Sequence, residues 1–172
     1  MNEIIRNIKT RRSVRKFSAK PVEDNILNEI ITAGLYAPSA MNTQLWQLTV
    51  IKNEDMLVRL QKAVGKALDR PDYHRFYNCP VFIIVTVPED YRHGAVDTAC
   101  VLQNMFLAAH SLGVGSVWIN QLRDCYDNSE VRGLLTEAGI AENHICFGCA
   151  AIGYPDCELP SDRENKGVVK FF

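Results

Sequence analysis

The sequence is short of the features that announce several protein classes. Its longest apolar runs, such as Val81 to Val87, are far below the roughly 20 residues a membrane helix needs. No excess of one charge exists either: 19 Lys and Arg stand against 20 Asp and Glu, a formal net charge of −1. Nucleic acid or an acidic membrane therefore has no electrostatic reason to be the main partner. There is no G-x-G-x-x-G stretch, because Gly113-Val114-Gly115 lacks the third glycine and follows a helical pattern. A Walker-type phosphate loop and a nucleophile elbow are also missing. No spacing supplies a Ser/His/Asp or Cys/His set. Met1 to Lys9 carries charge but no apolar signal core, so the expected location is the cytoplasm. Internal repeats, low-complexity tracts and linkers are absent. Such a chain can still be an enzyme if a bound cofactor brings the reactive atoms.

What is present fits one domain over residues 1–172. The hydrophobic fraction is 47% and the charged fraction 23%, ordinary for a globular protein with a proper core. There are six cysteines, most in apolar surroundings, and without an export signal they are expected as reduced thiols. His144, Cys146, Cys149 and Cys157 have the ligand types of a zinc site. Cys146 and Cys149 fall in a strand pattern, where residues three apart face opposite sides. Core cysteines and no metal are the expectation.

Helical spacing runs over Ile4, Ile5 and Ile8, then over Ile26 to Leu35, stopping before Pro38. Trp46 to Ile51 reads as a strand, and Met56 to Val64 as an amphipathic helix. Gly65 to Asn78 is polar and irregular. Val81 to Val87 reads as a strand buried on both faces. Ala95 to Leu112 is apolar nearly all round, so a fully buried helix is expected. Val114 to Ile119 is a strand, Glu130 to Ala138 a short helix and His144 to Ile152 a strand, followed by a tail that ends in apolar residues.

Two segments carry chemistry. Arg11, Arg12, Ser13 and Arg15 gather permanent charge and a hydroxyl in one short stretch, which suits a phosphate monoester. The plainer reading is a solvated basic helix end. Ser39, Asn42 and Gln44 lie on a loop stiffened by Pro38. They could bond a polyol or a heterocycle edge, or could simply form a helix-to-strand turn.

RRSVRKF (Arg11 to Phe17) followed by YAPSAMNTQLW (Tyr36 to Trp46) resembles the paired signatures of the nitroreductase family. The resemblance continues in order through Asp97, Gln103-Asn104, GVGSVW (Gly113 to Trp118), IGYP (Ile152 to Pro155), Arg163 and Val168-Val169. It implies an α+β fold: a central mixed, mainly antiparallel sheet flanked by helices, with the C-terminal tail exchanged in an intertwined homodimer. It also implies FMN at the dimer interface. Arg11, Arg12, Ser13 and Arg15 would hold its phosphate, ribityl and pyrimidine end, with Arg163 adding a phosphate contact. Pro38, Ser39 and Asn42, with Gln44 on the same loop, would line the flavin from the other subunit. Trp118, Ile119, Asn120 and Gln121 would run beside flavin N5. Arg75 aligns more loosely with a basic residue near N1 and O2.

The activity so implied is a ping-pong cycle. NADH or NADPH, as transient donor, passes a hydride to N5, and a nitroaromatic, quinone or similar flat acceptor removes it. As the flavin takes up the hydride, negative charge develops over N1 and O2, which makes Arg15 or Arg75 the candidate catalytic cation. Leu45 and Ser161 depart from the family pattern, which often has proline at the first position and in some members a basic residue at the second. The link from Val87 to the long helix is short. An open pocket is expected, or one walled by Tyr36, His74, Phe76 and Tyr77. Other flavin chemistry on the same scaffold, such as a dehalogenase, a metabolite dehydrogenase or a flavin-destroying synthase, remains an alternative, as does a non-catalytic flavin redox sensor. No residue that would read the nicotinamide ribose is identifiable.

Overall fold

The computed structural model describes residues 1–161 and 163–172. Along the chain come α1 (Glu3–Thr10), α2 (Asp24–Leu35), β1 (Gln47–Ile51), α3 (Glu54–Ala67), β2 (Val81–Pro88), α4 (Gly94–Ser111), β3 (Gly115–Ile119), α5 (Ser129–Glu137) and β4 (His144–Gly153). Several starts are written locally. Asn53 Oδ1 accepts from Met56 N at 2.8 Å to cap α3, and Asn128 caps α5 through Glu130 N and Val131 N. Gly113, at φ 73°, turns the chain out of α4.

Every residue of β2 from Val81 to Val87 is buried, so both faces need apolar cover. Leu27 and Ile30 of α2 with Val101, Leu102 and Met105 of α4 join Val81, Ile83 and Val85 in one core. Leu57, Leu60 and Val64 of α3 with Val131 and Leu135 of α5 join Phe82 and Ile84 in the other. The result is a helix–sheet–helix sandwich.

The strand order is β1-β2-β4-β3, and all three pairings are antiparallel. Among the described residues the expected parallel component reduces to one isolated bridge, Ser13 to Ser116.

Two expectations change. Cys146 and Cys149 do not face opposite sides. The register passes from Val85 opposite Gly148 to Thr86 opposite Cys146, so Phe147 is an extra, bulged residue. A bulge shifts the alternation by one, and the two Sγ atoms lie 3.4 Å apart in the core. Burial pushes the Cys149 thiol well above its usual range. The second correction concerns α4, which is buried along one side only. Val101, Leu102, Met105 and Phe106 are covered, while Ala95, Val96 and Gln103 are exposed.

After α1 the chain runs extended along the β3 edge. Val14 N donates to Ser116 O at 3.0 Å, and Ser18 N donates to Tyr154 O at 2.9 Å. Gly115 permits this approach: a Cβ there would stand 2.6 Å from Val14 Cγ2. Gly115→Ala should therefore push the Arg11 to Arg15 segment off β3 and lower stability by about 1–3 kcal/mol, measured by urea unfolding.

Candidate functional site

Arg11 follows the last turn of α1, and the extended backbone beyond it buries Val14 while leaving Arg15 exposed. Arg12 is folded back on its own chain. Its Nη1 donates to Lys9 O at 2.7 Å and Arg11 O at 2.9 Å, and its Nη2 donates to Ser161 O at 2.8 Å, tying the tail down. Its Nε is buried and has no partner. Burial, followed by the charges of Arg163 and Arg12, holds the Arg11 guanidinium below its usual pKa. Among the described residues no carboxylate pairs with Arg11, Arg12, Arg15 or Arg163. Arg11 and Arg12 border a cavity of about 190 Å³ that reaches to Gly115, Ser116 and Leu159. Ser13 is not in its lining but is paired through the backbone with Ser116, which is.

The second group is the turn Ala40–Asn42 and its flanks. Met41, Asn42 and Gln44 all have positive φ, at 53°, 56° and 50°, a conformation that side-chain-bearing residues adopt only when held. Ser39 Oγ accepts from Gln44 N at 3.1 Å, and Asn42 Oδ1 accepts from Gln44 Nε2 at 2.8 Å. The buried Asp97, in the first turn of α4, anchors the loop. Both its carboxylate oxygens accept from Ala40 N at 3.3 Å. Tyr91 OH donates to Asp97 at 2.6 Å and sits 2.8 Å from Thr43 Oγ1. That hydrogen bond to Asp97 raises the Tyr91 pKa. Sequence reasoning missed Tyr91 and Thr43. Their only signal is a carboxylate within an apolar helix, which demands donors from elsewhere. Pro38 is exposed, and Tyr36 is 83% exposed.

At the end of β3, Trp118 is 36% exposed and meets Phe106 edge-on at 6.3 Å. Ile119 is buried and Asn120 exposed. Gln121 accepts from Tyr73 OH at 3.5 Å.

Arg75 is exposed, with Nη1 3.4 Å from Tyr77 OH; His74 is exposed and Tyr77 half-buried. Phe76 leaves the predicted pocket wall. It is 3% exposed and stacks on Phe82 at 4.2 Å, because the irregular segment has to cap the α3 core. A cleft of about 430 Å³ between residues 18–22 and α3 includes Phe76 and none of the arginines.

One chain thus brings Arg11 and Arg12 together with Arg163 but keeps them away from the Ser39 to Gln44 loop. The loop hangs on Asp97, while His110 borders the arginine cavity. Those two positions on α4 are separated by roughly 20 Å at about 1.5 Å per residue.

Residues 8–154 match the Nitroreductase family. A nitroreductase from Bacteroides fragilis, solved with bound FMN, has a TM-score of 0.94 at 35% identity and covers 100% of both chains. A nitroreductase from Desulfitobacterium hafniense, also solved with bound FMN, has a TM-score of 0.88 over 100% of this chain and 99% of its own. At 23% identity it speaks for the fold alone. An NADPH-flavin oxidoreductase of Vibrio harveyi is 31% identical over 166 residues, 91% of this chain and 67% of its own. The family match spans the arginine segment and all four strands, and the whole fold is shared, so the chain belongs to the nitroreductase family.

Proposed function

We propose that this chain is an FMN-dependent oxidoreductase that draws hydride from NADH or NADPH and delivers it to a nitroaromatic, a quinone or a similar flat acceptor. The observation that carries the reading is the group of guanidiniums at Arg11, Arg12 and Arg163. Arg11 and Arg12 are partly buried and Arg163 is exposed; Arg11 is repelled by the other two, no counter-charge stands by them among the described residues, and the buried Arg12 Nε lacks a partner. A phosphate dianion answers each of these features. FMN, when bound, supplies a centre that accepts a hydride and gives it up again.

The chain's own residues then have distinct tasks. Arg11, Arg12 and Arg163 hold the phosphate, and Ser13 adds a hydroxyl beside them. Ser39, Asn42 and Gln44 offer polar groups fixed by their own hydrogen bonds, with Pro38 packing beside them. Trp118, Ile119, Asn120 and Gln121 form the wall at the end of β3. Arg15 and Arg75, both exposed and unpaired by any acid among the described residues, would be the cations to face negative charge developing on the pyrimidine ring. Tyr36, His74 and Tyr77 are the walls an acceptor would meet. No general acid stands among these groups, so protons come from water.

The active form is a homodimer. Within one chain the loop and the arginines lie at opposite ends of α4, and the face of α4 carrying Ala95, Val96 and Gln103 is uncovered. A two-fold axis crossing that face would bring the partner's loop to the arginines. Val168 and Phe171 of the tail, 84% and 94% exposed, would find cover on the same partner.

Purified protein should show flavin absorption bands that bleach when NADH or NADPH is added without oxygen. A colourless protein that cannot be reconstituted with FMN overturns the reading. Arg11→Ala should raise the FMN Kd about 10- to 100-fold, the value of a charged hydrogen bond of roughly 1.5–3 kcal/mol, and leave riboflavin binding nearly unchanged in fluorescence titration. Tyr91→Phe removes a donor from buried Asp97. It should lower stability by about 1–3 kcal/mol and weaken FMN binding severalfold, read by thermal melts and the same titration.

A further inference from the structure

His110, in the last turn of α4, shares the 190 Å³ cavity with Arg11 and Arg12 and was no part of the predicted site. Its Nε2 lies 2.9 Å from Thr10 Oγ1. The Thr10 hydroxyl donates its hydrogen to Arg6 O at 2.9 Å, which leaves its oxygen as an acceptor. The ring proton therefore sits on Nε2, and Nδ1 of the neutral ring is a bare lone pair.

A phosphate oxygen is also an acceptor. A neutral imidazole and a phosphate therefore repel in a shared cavity, whereas an imidazolium can donate from Nδ1 while keeping its bond to Thr10. The charged groups facing His110 are Arg11 and Arg12, from the segment after α1. Arg163, from the tail, acts on Arg11. No carboxylate borders the cavity among the described residues. Burial, together with those two arginines, holds the imidazole below its ordinary pKa, so the ring is neutral near pH 7. A bound dianion offsets the charges of Arg11 and Arg12, and the C-terminal end of α4 favours a cation there as well.

We propose that His110 takes up a proton when the phosphate monoester of FMN binds and becomes a further cationic donor beside Arg11 and Arg12. The inference rests on the FMN reading above and adds a proton linkage to it. A ligand that raises the pKa of a group gains affinity that is complete below the free pKa. That gain is lost as pH rises through the bound pKa. Flavin retention should therefore be better on the acid side.

The test compares wild type with His110→Gln, whose amide can still donate to Thr10, by fluorescence titration with FMN and with riboflavin. The readout is the ratio of variant to wild-type Kd, in which the phosphate's own ionisation near about pH 6 cancels. For FMN the ratio should be about 5 to 10 at roughly pH 5.5 and close to one at roughly pH 8.5. For riboflavin, which has no phosphate, it should stay close to one at both. An FMN ratio that is the same at both pH values, or an equal loss with riboflavin, makes His110 a purely structural link between α1 and α4 and overturns the proposal. Absence of FMN binding by wild type at every pH overturns the flavin reading itself. A second measurement needs no variant: the His110 imidazole resonance, followed by NMR through a pH titration. Its pKa should rise by about one unit or more on adding FMN and stay put with riboflavin; no rise with FMN overturns the proposal.

Discussion

The antiparallel contact between β2 and β4 sets two strands with no polar face side by side in the middle of the sheet. Full burial of a Val, Ile or Phe side chain contributes about 1.5–3 kcal/mol, and β2 buries seven consecutive residues. Leaving either face wet would forfeit much of that, so helices have to cover both. α2 and α4 meet the first demand, α3 and α5 the second. The positions of α4 and of the β3 edge, on which the site is built, follow from this packing.

On that frame the site is held by polar contacts of two opposite kinds. At one end of α4, Asp97 accepts from Ala40 N and Tyr91 OH, anchoring a loop with three residues at positive φ. At the other end, Arg11, Arg12 and Arg163 are left without a counter-charge among the described residues. Buried polar groups are normally paired, so the first arrangement is a finished structural device, while the second fits the phosphate-binding role proposed above. Backbone acceptors at Lys9, Arg11 and Ser161 hold Arg12 in place without neutralising it. Orientation without neutralisation is what anion recognition needs.

The length of α4 sets the loop apart from the arginines, and its Ala95, Val96 and Gln103 stay exposed in one chain. The homodimer proposed above would answer both conditions at once.

Much of this was legible in the sequence. The seven-residue apolar run fixed a doubly covered strand. The spacing of Ile26 to Leu35 and of Met56 to Val64 fixed two helices, and Pro38 fixed where the first had to stop. The order of the motifs RRSVRKF, YAPSAMNTQLW and GVGSVW by itself points to the family. These are local or period-driven signals, carried by residues within a turn or two of each other.

What only the tertiary structure decided depends on partners distant in the chain. The bulge at Phe147 put Cys146 and Cys149 on one face, because register answers to the opposing strand and not to alternation alone. Phe76 reads as a pocket aromatic but packs into the core of α3, where its ring stacks on Phe82. Tyr91 reaches Thr43 with the same hydroxyl that it donates to buried Asp97, a contact between three separate segments. His110 faces the arginines only because α1 packs across the end of α4. A sequence shows which side chains have unmet needs, while long-range packing determines which distant groups meet them.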